Sequence, residues 1–128
     1  MVVLVLVLVA GLVAGVVAAR RPLPQTDGTL QLPGLSASVE VIRDAHGIPQ
    51  LYADTSTDLF YAQGFVQAQD RFFEMDFRRH VTAGRLSELF GTSTVETDMY
   101  VRTMGWRRVA ERELDLLSPE TKSYLEAY

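Results

Sequence analysis

The chain has 128 residues, no cysteine and a formal net charge of −4. Beyond Arg21, ten basic residues remain against all sixteen acidic ones, so no basic stripe is expected and nucleic acid is excluded as a predicted partner. The absence of cysteine excludes disulfides, thiolate metal sites and a cysteine nucleophile within this chain. The length allows one modest domain and a targeting segment.

An unbroken apolar run opens the chain. Residues 2–19 contain no polar side chain and would span about 27 Å as a helix. The run is longer than the hydrophobic region of about 7–15 residues in a signal peptide, although Ala18 and Ala19 offer a cleavage site. We therefore expect residues 1–21 to be a signal or transmembrane segment. Membrane contact through residues 1–19 and a location in the cell envelope, periplasm or medium follow from this, and a buried core helix is the less favoured alternative.

A linker follows the apolar run. Residues 22–36 hold three of the five prolines, and turns are expected at residues 27–28 and 33–34. A short strand is expected around residues 30–32.

A β-hairpin is predicted after the linker. Residues 37–43 and 48–53 alternate in polarity as strands do, and Pro49 favours an edge position. The turn at residues 44–47 contains His46. We interpret His46 as a solvated loop histidine rather than a catalytic one, because no acid or nucleophile lies beside it in the sequence.

A long helix over residues 58–81 organises the chain. Its apolar residues recur at spacings of three and four, which indicates a helix packed against a large core. Residues 55–57 offer N-caps, and Gly84 is suited to end the helix. The apolar side chains form two adjoining rows: Tyr61, Phe65, Ala68, Phe72 and Met75, and Ala62, Val66, Phe73 and Phe77.

The remaining residues predict shorter helices. Residues 85–90 form a short amphipathic turn, and residues 92–97 are expected to be a polar loop. Residues 98–117 are helical in period, with an interruption at Gly105. Residues 118–120, Ser-Pro-Glu, are typical of a helix start. Because the apolar face of that last helix stops within its third turn, we expect the sequence to be part of a longer chain.

Polar residues on the long helix are the candidates for chemistry. Gln69, Asp76 and Arg79 interrupt its apolar face. Asp76 is either a base or ligand or, as we prefer, the partner of Arg79 in an internal ion pair. Asp70 and Arg71 are interpreted as a solvated or cross-chain ion pair. No phosphate loop, paired-histidine metal motif or nucleophile elbow is present, so no catalytic, cofactor-binding or metal-binding residue is predicted.

The segment from the hairpin onward resembles the penicillin acylase (penicillin amidase) family. The resemblance covers about residues 38–128, and the Ala-Gln-Asp-Arg run together with Gly-Arg-Leu-Ser-Glu is its most specific part. One departure is Gln50, where many family members have histidine. The matching elements are Arg43-Asp44, Gly47-Ile48-Pro49, residues 64–71, Arg78-Arg79, residues 84–88 and residues 117–120.

The resemblance extends the predicted fold. The residues themselves predict an α+β chain, mostly helical with an N-terminal β-hairpin. The resemblance implies that residues 37–128 are the incomplete N-terminal part of an acylase α chain. The complete protein would have the layered αββα fold of N-terminal nucleophile hydrolases.

The resemblance also implies an activity. It implies a secreted or envelope amidohydrolase, made as a zymogen that is cut into an α and a β chain. The N-terminal serine of the β chain would attack an acyl amide bond, with its own amine as base. Substrates in the family are acylated β-lactams, acyl-homoserine lactones and acyl lipopeptides, and a structural calcium usually bridges the two chains.

No catalytic residue transfers to this chain. The family's nucleophile follows a Gly-Ser type junction, and no Gly-Ser pair occurs here. Glycine precedes threonine only at Gly28 and Gly91, which we interpret as turns. The chain alone is therefore expected to be inactive and to support the β chain. The alternative is a membrane-anchored helical interaction module without catalytic activity.

Overall fold

A computed structural model describes residues 2–128, without the side chain of Val3. The chain divides into two units, one up to Gln31 and the other comprising Leu32–Tyr128. The predicted division into residues 1–21, 22–36 and 37–128 stays a prediction.

The first unit consists of helix α1, Val2–Arg20, and irregular structure up to Gln31. The strand expected around residues 30–32 does not form. Among residues 2–128, no helix combines the length and the apolar character needed to cross a membrane. The predicted membrane anchor through residues 1–19 is therefore not supported. Met1 lies outside the described residues.

The second unit begins with the predicted hairpin. Strands β1, Glu40–Arg43, and β2, Pro49–Tyr52, pair antiparallel. The Asp44 carboxylate closes the turn by accepting hydrogen bonds from the backbone N–H groups of His46 and Ile48 at 2.8 and 2.9 Å. The hairpin prediction is confirmed, with four residues in each strand rather than the six or seven that the alternation suggested.

Helix α2, Ser56–Ala83, follows the hairpin. The hydroxyl of Thr55 accepts a hydrogen bond from the N–H of Asp58 at 3.1 Å and caps the first turn. Gly84 ends the helix at φ 63°, a left-handed conformation that glycine adopts without strain. Both predicted ends of the long helix are confirmed to within two residues.

Short helices complete the unit. Gly105, at φ 70°, separates helix α4, Val95–Met104, from helix α5, Trp106–Glu113, as predicted. The Ser118 hydroxyl caps helix α6, Pro119–Ala127, by accepting a hydrogen bond from Thr121 N–H at 3.1 Å. The polar loop predicted at residues 92–97 is wrong, because a 3-10 helix and the start of α4 occupy it. The helices are α3, Ser87–Phe90; a 3-10 helix, Gly91–Thr94; α4, Val95–Met104; α5, Trp106–Glu113; a 3-10 helix, Leu114–Leu116; and α6, Pro119–Ala127.

The core of the second unit is small. Helix α2 packs against α4 and α6, and the rings of Phe60 and Tyr124 stack across the α2–α6 contact with centroids 4.8 Å apart. Within the described part of the chain, the buried apolar side chains are Ala62, Val66 and Val101. The other apolar side chains of α2, α4 and α6 are half-buried or exposed.

Candidate functional site

An ion pair joins the hairpin to α2. Arg43 at the end of β1 donates from Nη1 and Nη2 to the two carboxylate oxygens of Asp70, at 2.8 and 2.9 Å. Arg43 Nη1 also donates to the carbonyl oxygen of Gly47 in the hairpin turn at 3.2 Å. The two parallel hydrogen bonds fix both the position and the orientation of the Arg43 guanidinium relative to the Asp70 carboxylate. The sequence interpretation of Asp70 and Arg71 as a solvated or cross-chain ion pair did not identify Arg43 as the partner of Asp70.

Helix α2 breaks immediately after this ion pair. Arg71 has φ −140° and ψ 27°, outside the helical range, so α2 consists of two helical segments. The next two residues, Phe72 and Phe73, are 66% and 71% exposed. The prediction that both apolar rows of the long helix face a core is therefore wrong for these two side chains. It holds for Ala62 and Val66, which are buried.

One of these exposed phenylalanines, Phe73, belongs to a larger aromatic cluster. The ring of Phe73 stacks on Phe77 with centroids 6.2 Å apart. Phe77 meets Phe90 of α3 edge to face, with centroids 6.0 Å apart. Phe90 is 49% exposed. We call Phe73, Phe77 and Phe90, whose rings are in contact, the aromatic ridge.

Polar groups near the end of α2 form a second cluster. Arg79 donates to Asp76 at 3.1 Å, which confirms the predicted pairing. The Arg79 side chain is 78% exposed, so the prediction of an internal ion pair is wrong about burial.

His80 is the member of this cluster that the sequence reasoning missed. Its Nδ1 donates to the carbonyl oxygen of Asp76 at 2.8 Å, and its Nε2 lies 3.8 Å from a carboxylate oxygen of Glu88. The imidazole thus lies between α2 and α3. The Asp-x-x-x-His spacing on one helix face was the available signal. Among residues 2–128, no serine, threonine or lysine side chain is a hydrogen-bond partner of the ring.

Two buried carboxylates hold backbone segments. Asp58 accepts hydrogen bonds from the hydroxyl and the backbone N–H of Ser36, and these bonds lower the pKa of Asp58 below its ordinary value. Burial raises the pKa of Asp98, but hydrogen bonds from Ser87 and Leu86 outweigh it and the pKa is lowered. Both groups are therefore ionised at neutral pH and are unsuited to donate a proton as general acids.

One groove lies between α2, α4 and α5. It has a volume of about 210 Å³. Arg102 is fixed beside it by a hydrogen bond from Nε to the carbonyl oxygen of Gly84 at 2.7 Å. The groove offers positive charge without a nucleophile or base. Its lining residues are Thr82, Ala83, Val101, Arg102, Gly105, Arg107 and Arg108.

The described residues also lack a metal centre. No three of their histidine, aspartate or glutamate side chains come together in a way that could hold a metal ion. A Ca²⁺ ion takes six to eight oxygen ligands, so the described residues do not fit a calcium site. The main features of this region are therefore the phenylalanine rings in contact on α2 and α3 and the ion pair between Arg43 and Asp70.

Comparison with known proteins identifies the family. The family model for penicillin amidase matches residues 38–128. The chain is 42% identical to penicillin acylase 2 proenzyme from Pseudomonas sp. (strain SE83), over 87% of this chain and 14% of that protein. It is 37% identical to penicillin G acylase from Escherichia coli, over 73% of this chain and 11% of that protein.

Two further proteins agree with this. The chain is 35% identical to acyl-homoserine lactone acylase QuiP from Pseudomonas aeruginosa, over 83% of this chain and 12% of that protein. The solved structure of a thermostable penicillin G acylase from Alcaligenes faecalis superposes with a TM-score of 0.63 at 34% identity, covering 71% of this chain and 49% of the matched chain.

These matches support both the fold class and the family of the chain. The chain spans about a seventh or less of the length of the curated relatives it matches. The predicted fold class, an α+β chain that is mostly helical with an N-terminal hairpin and belongs to the N-terminal nucleophile hydrolases, is confirmed by its elements and by the structural match. On these grounds the chain belongs to the penicillin amidase family.

Proposed function

We propose that this chain is the N-terminal part of the precursor of a penicillin-acylase-like amidohydrolase, which hydrolyses an acyl amide bond. The observation that carries the proposal is its 42% identity to a penicillin acylase proenzyme over 87% of the chain but only 14% of that protein. Acyl transfer is the activity that the names of the relatives share. The part that this chain supplies contains the hairpin, α2 and the aromatic ridge.

In the proposed reaction the nucleophile comes from the β chain. The Oγ atom of its N-terminal serine forms a bond to the acyl carbonyl carbon while its proton passes to the α-amine of the same residue. The amide C–N bond then breaks, the leaving amine takes that proton, and water hydrolyses the acyl-serine ester to the free acid. This chain contributes no reacting group and forms a surface against which the β chain packs.

Calcium is part of the proposal only for the complete protein. The carboxylates of this chain that are buried, Asp58 and Asp98, already accept hydrogen bonds from backbone and hydroxyl groups. A calcium ion in the complete enzyme would therefore be held by residues outside this chain.

We also propose that the apolar N-terminal run directs export to the cell envelope or the medium. The run is followed by Arg20 and Arg21 and by an exposed linker, which gives a processing enzyme access. N-terminal sequencing of the mature protein recovered from each cell fraction tests this, and a mature protein that remains in the cytoplasm would overturn it.

The activity is tested on the complete gene product. The precursor is expressed with its natural leader, its two chains are separated by denaturing electrophoresis, and hydrolysis is measured against phenylacetyl amides, long-chain acyl amides and acyl-homoserine lactones. The control replaces the serine at the N-terminus of the β chain with alanine, which removes the nucleophile. A processed and folded two-chain protein that hydrolyses none of these compounds would overturn the proposal.

A further inference from the structure

We propose that His80 is a pH-sensitive connector between α2 and α3, in which protonation of the imidazole holds α3 to the end of α2 and deprotonation loosens it. The proposal goes beyond the proposed function, because it concerns a contact within this chain and needs neither the nucleophile nor the β chain. The atom that takes up the proton is Nε2, and the group that this proton meets is the carboxylate of Glu88.

The imidazole ring lies between the two helices. The His80 side chain, in the last turn of α2, is only 12% exposed. Its Nε2 atom lies 3.8 Å from a carboxylate oxygen of Glu88, the second residue of α3. On the α2 side, Nδ1 lies 2.8 Å from the carbonyl oxygen of Asp76 and 3.5 Å from its carboxylate. A rotation of the ring would break the hydrogen bond to Asp76, so this bond orients Nε2 towards Glu88.

The hydrogen bond to Asp76 determines which nitrogen carries the proton. A carbonyl oxygen only accepts hydrogen bonds, so Nδ1 of His80 is the donor of the 2.8 Å bond. In a neutral imidazole the other nitrogen then has a lone pair and no hydrogen. Nε2 of the neutral ring therefore faces the Glu88 carboxylate as one acceptor faces another. Protonation places an N–H group at Nε2 and a positive charge between two carboxylates, which makes the contact attractive.

Two carboxylates lie nearest to the ring, and each is bound by an arginine. The Asp76 carboxylate accepts a hydrogen bond from Arg79 at 3.1 Å. The Glu88 carboxylate accepts hydrogen bonds from Arg85 at 2.6 and 2.7 Å. The hydrogen bond from Arg85 is also the main reason why the pKa of Glu88 lies below its ordinary value. Glu88 is therefore ionised throughout the range in which an imidazole changes its charge.

Helices α4 and α5, which also pack against α2, contribute the other charges. From α4, Arg102 attracts the Glu88 carboxylate, and Asp98 is kept ionised by its hydrogen bonds to the start of α3, which lower its pKa. From α5, Arg107 and Arg108 line the groove described above, and a guanidinium stays charged at any pH at which proteins fold. Among the described groups around the ring, the imidazole is therefore the one whose charge changes between about pH 5 and 8.

The direction of the pH dependence follows from these contacts. The attraction exists only while the ring is protonated, so α3 is held to α2 on the acidic side of the imidazole range and is loosened as the pH rises through it. Phe90 lies two positions after Glu88 in α3. The end of the aromatic ridge on α3 therefore shares this dependence.

The test is amide hydrogen exchange of residues 88–90 in the complete protein at about pH 5.5 and about pH 8, on either side of the ordinary imidazole range. Protection factors are compared, because they remove the pH dependence of intrinsic exchange. His80→Asn keeps an amide donor for the Asp76 carbonyl but does not titrate, and Glu88→Gln removes the charge that the proton meets. His46→Asn, which replaces the exposed histidine of the hairpin turn, is the matched control.

We expect the wild-type protection factors to be about two- to fivefold higher at the lower pH, the effect of a partly exposed ion pair. His80→Asn and Glu88→Gln should each abolish this difference, and His46→Asn should retain it. If His80→Asn lowers protection at both pH values by disturbing α2, Glu88→Gln decides, because it leaves the ring and its bond to Asp76 in place. Equal wild-type protection at both pH values, or a difference that persists in Glu88→Gln, would overturn the proposal.

Discussion

Asp98 of α4 accepts a hydrogen bond from the backbone N–H of Ser87, eleven residues earlier in the chain, at 2.8 Å. Its other carboxylate oxygen accepts from the N–H of Leu86 at 2.7 Å. One side chain thus satisfies two backbone donors at the start of α3, a helix of four residues that is too short to be stable by itself. The position of α3, and with it of Phe90 in the aromatic ridge, depends on this carboxylate.

Replacing this carboxylate should release α3. Asp98→Ala leaves two half-buried N–H groups without their acceptor, and such groups are costly to leave unsatisfied. We expect amide exchange of Leu86 and Ser87 to rise by on the order of tenfold or more, the scale of a lost hydrogen bond to a charged acceptor. Exchange is measured by NMR or mass spectrometry in the complete protein. Glu96→Ala, at an exposed position of the same helix, is the control, and unchanged exchange in Asp98→Ala would contradict this role.

The buried carboxylates also predict how stability depends on pH. The pKa values of Asp58 and Asp98 are lowered in the folded protein, so their stabilisation is complete above the unfolded value of about 3.9. It is lost as the pH falls through the lower folded values. We therefore expect the urea midpoint of the complete protein to fall on acidification below about pH 4.

The variants Asp58→Asn and Asp98→Asn should flatten that dependence, since neither amide titrates. Glu74→Gln removes another carboxylate of lowered pKa, held there by the hydrogen bond from Arg78. Because that ion pair is exposed, its contribution is small, and this variant should retain most of the acid sensitivity. If all three variants weaken the pH dependence of the urea midpoint equally, the two buried carboxylates are not its main cause.

Gly64 should resist substitution. A Cβ atom at this position of α2 would lie 3.1 Å from the carbonyl carbon and 3.2 Å from the Cα of Tyr128, and backbone atoms do not move aside as side chains do. Gly64→Ala improves helix propensity by about 1 kcal/mol, but overpacking costs about 1–3 kcal/mol. We expect a net loss of stability and faster amide exchange in α6.

The matched control for this variant is Gln63→Ala, at the exposed neighbouring position of the same helix. It should change stability by less than about 0.5 kcal/mol, as surface substitutions do. Chemical denaturation of the complete protein measures both. A Gly64→Ala variant as stable as the control would show that α6 does not pack closely on α2.

The chain without its leader should not behave as an independent domain. In the described residues its buried apolar side chains are only Ala62, Val66 and Val101, while large side chains such as Phe73 and Tyr100 are exposed. Exposed patches of this kind lead to association. We expect residues 22–128 alone to bind a hydrophobic dye and to aggregate at micromolar concentration, and sharp cooperative unfolding of a monomer would contradict this expectation.

Local signals in the sequence predicted much of this fold. The left-handed glycine at Gly84, the Ser118 cap and the break at Gly105 each depend on residues within one turn, and all three are confirmed. Long-range partners were not predictable. Arg43 and Asp70 are separated by 27 positions, and nothing local indicates that they meet.

The break of α2 at Arg71 was also hidden, because neither proline nor glycine marks it. Without the break, the periodic spacing of Phe72 and Phe73 indicates a buried face. The hydrogen bonds from the start of α3 to Asp98 were not predicted either, because their donors lie eleven and twelve positions away in the sequence. Periodicity assigns a residue to a helix face, but it does not reveal what that face meets.

The bond between Ser36 and Asp58 has a consequence for maturation. It ties the end of the linker to the first turn of α2 across 22 positions. Cleavage within the exposed stretch at residues 21–31 would remove no partner of Asp58. Such a cut would leave intact the bond that joins Ser36 to the start of α2.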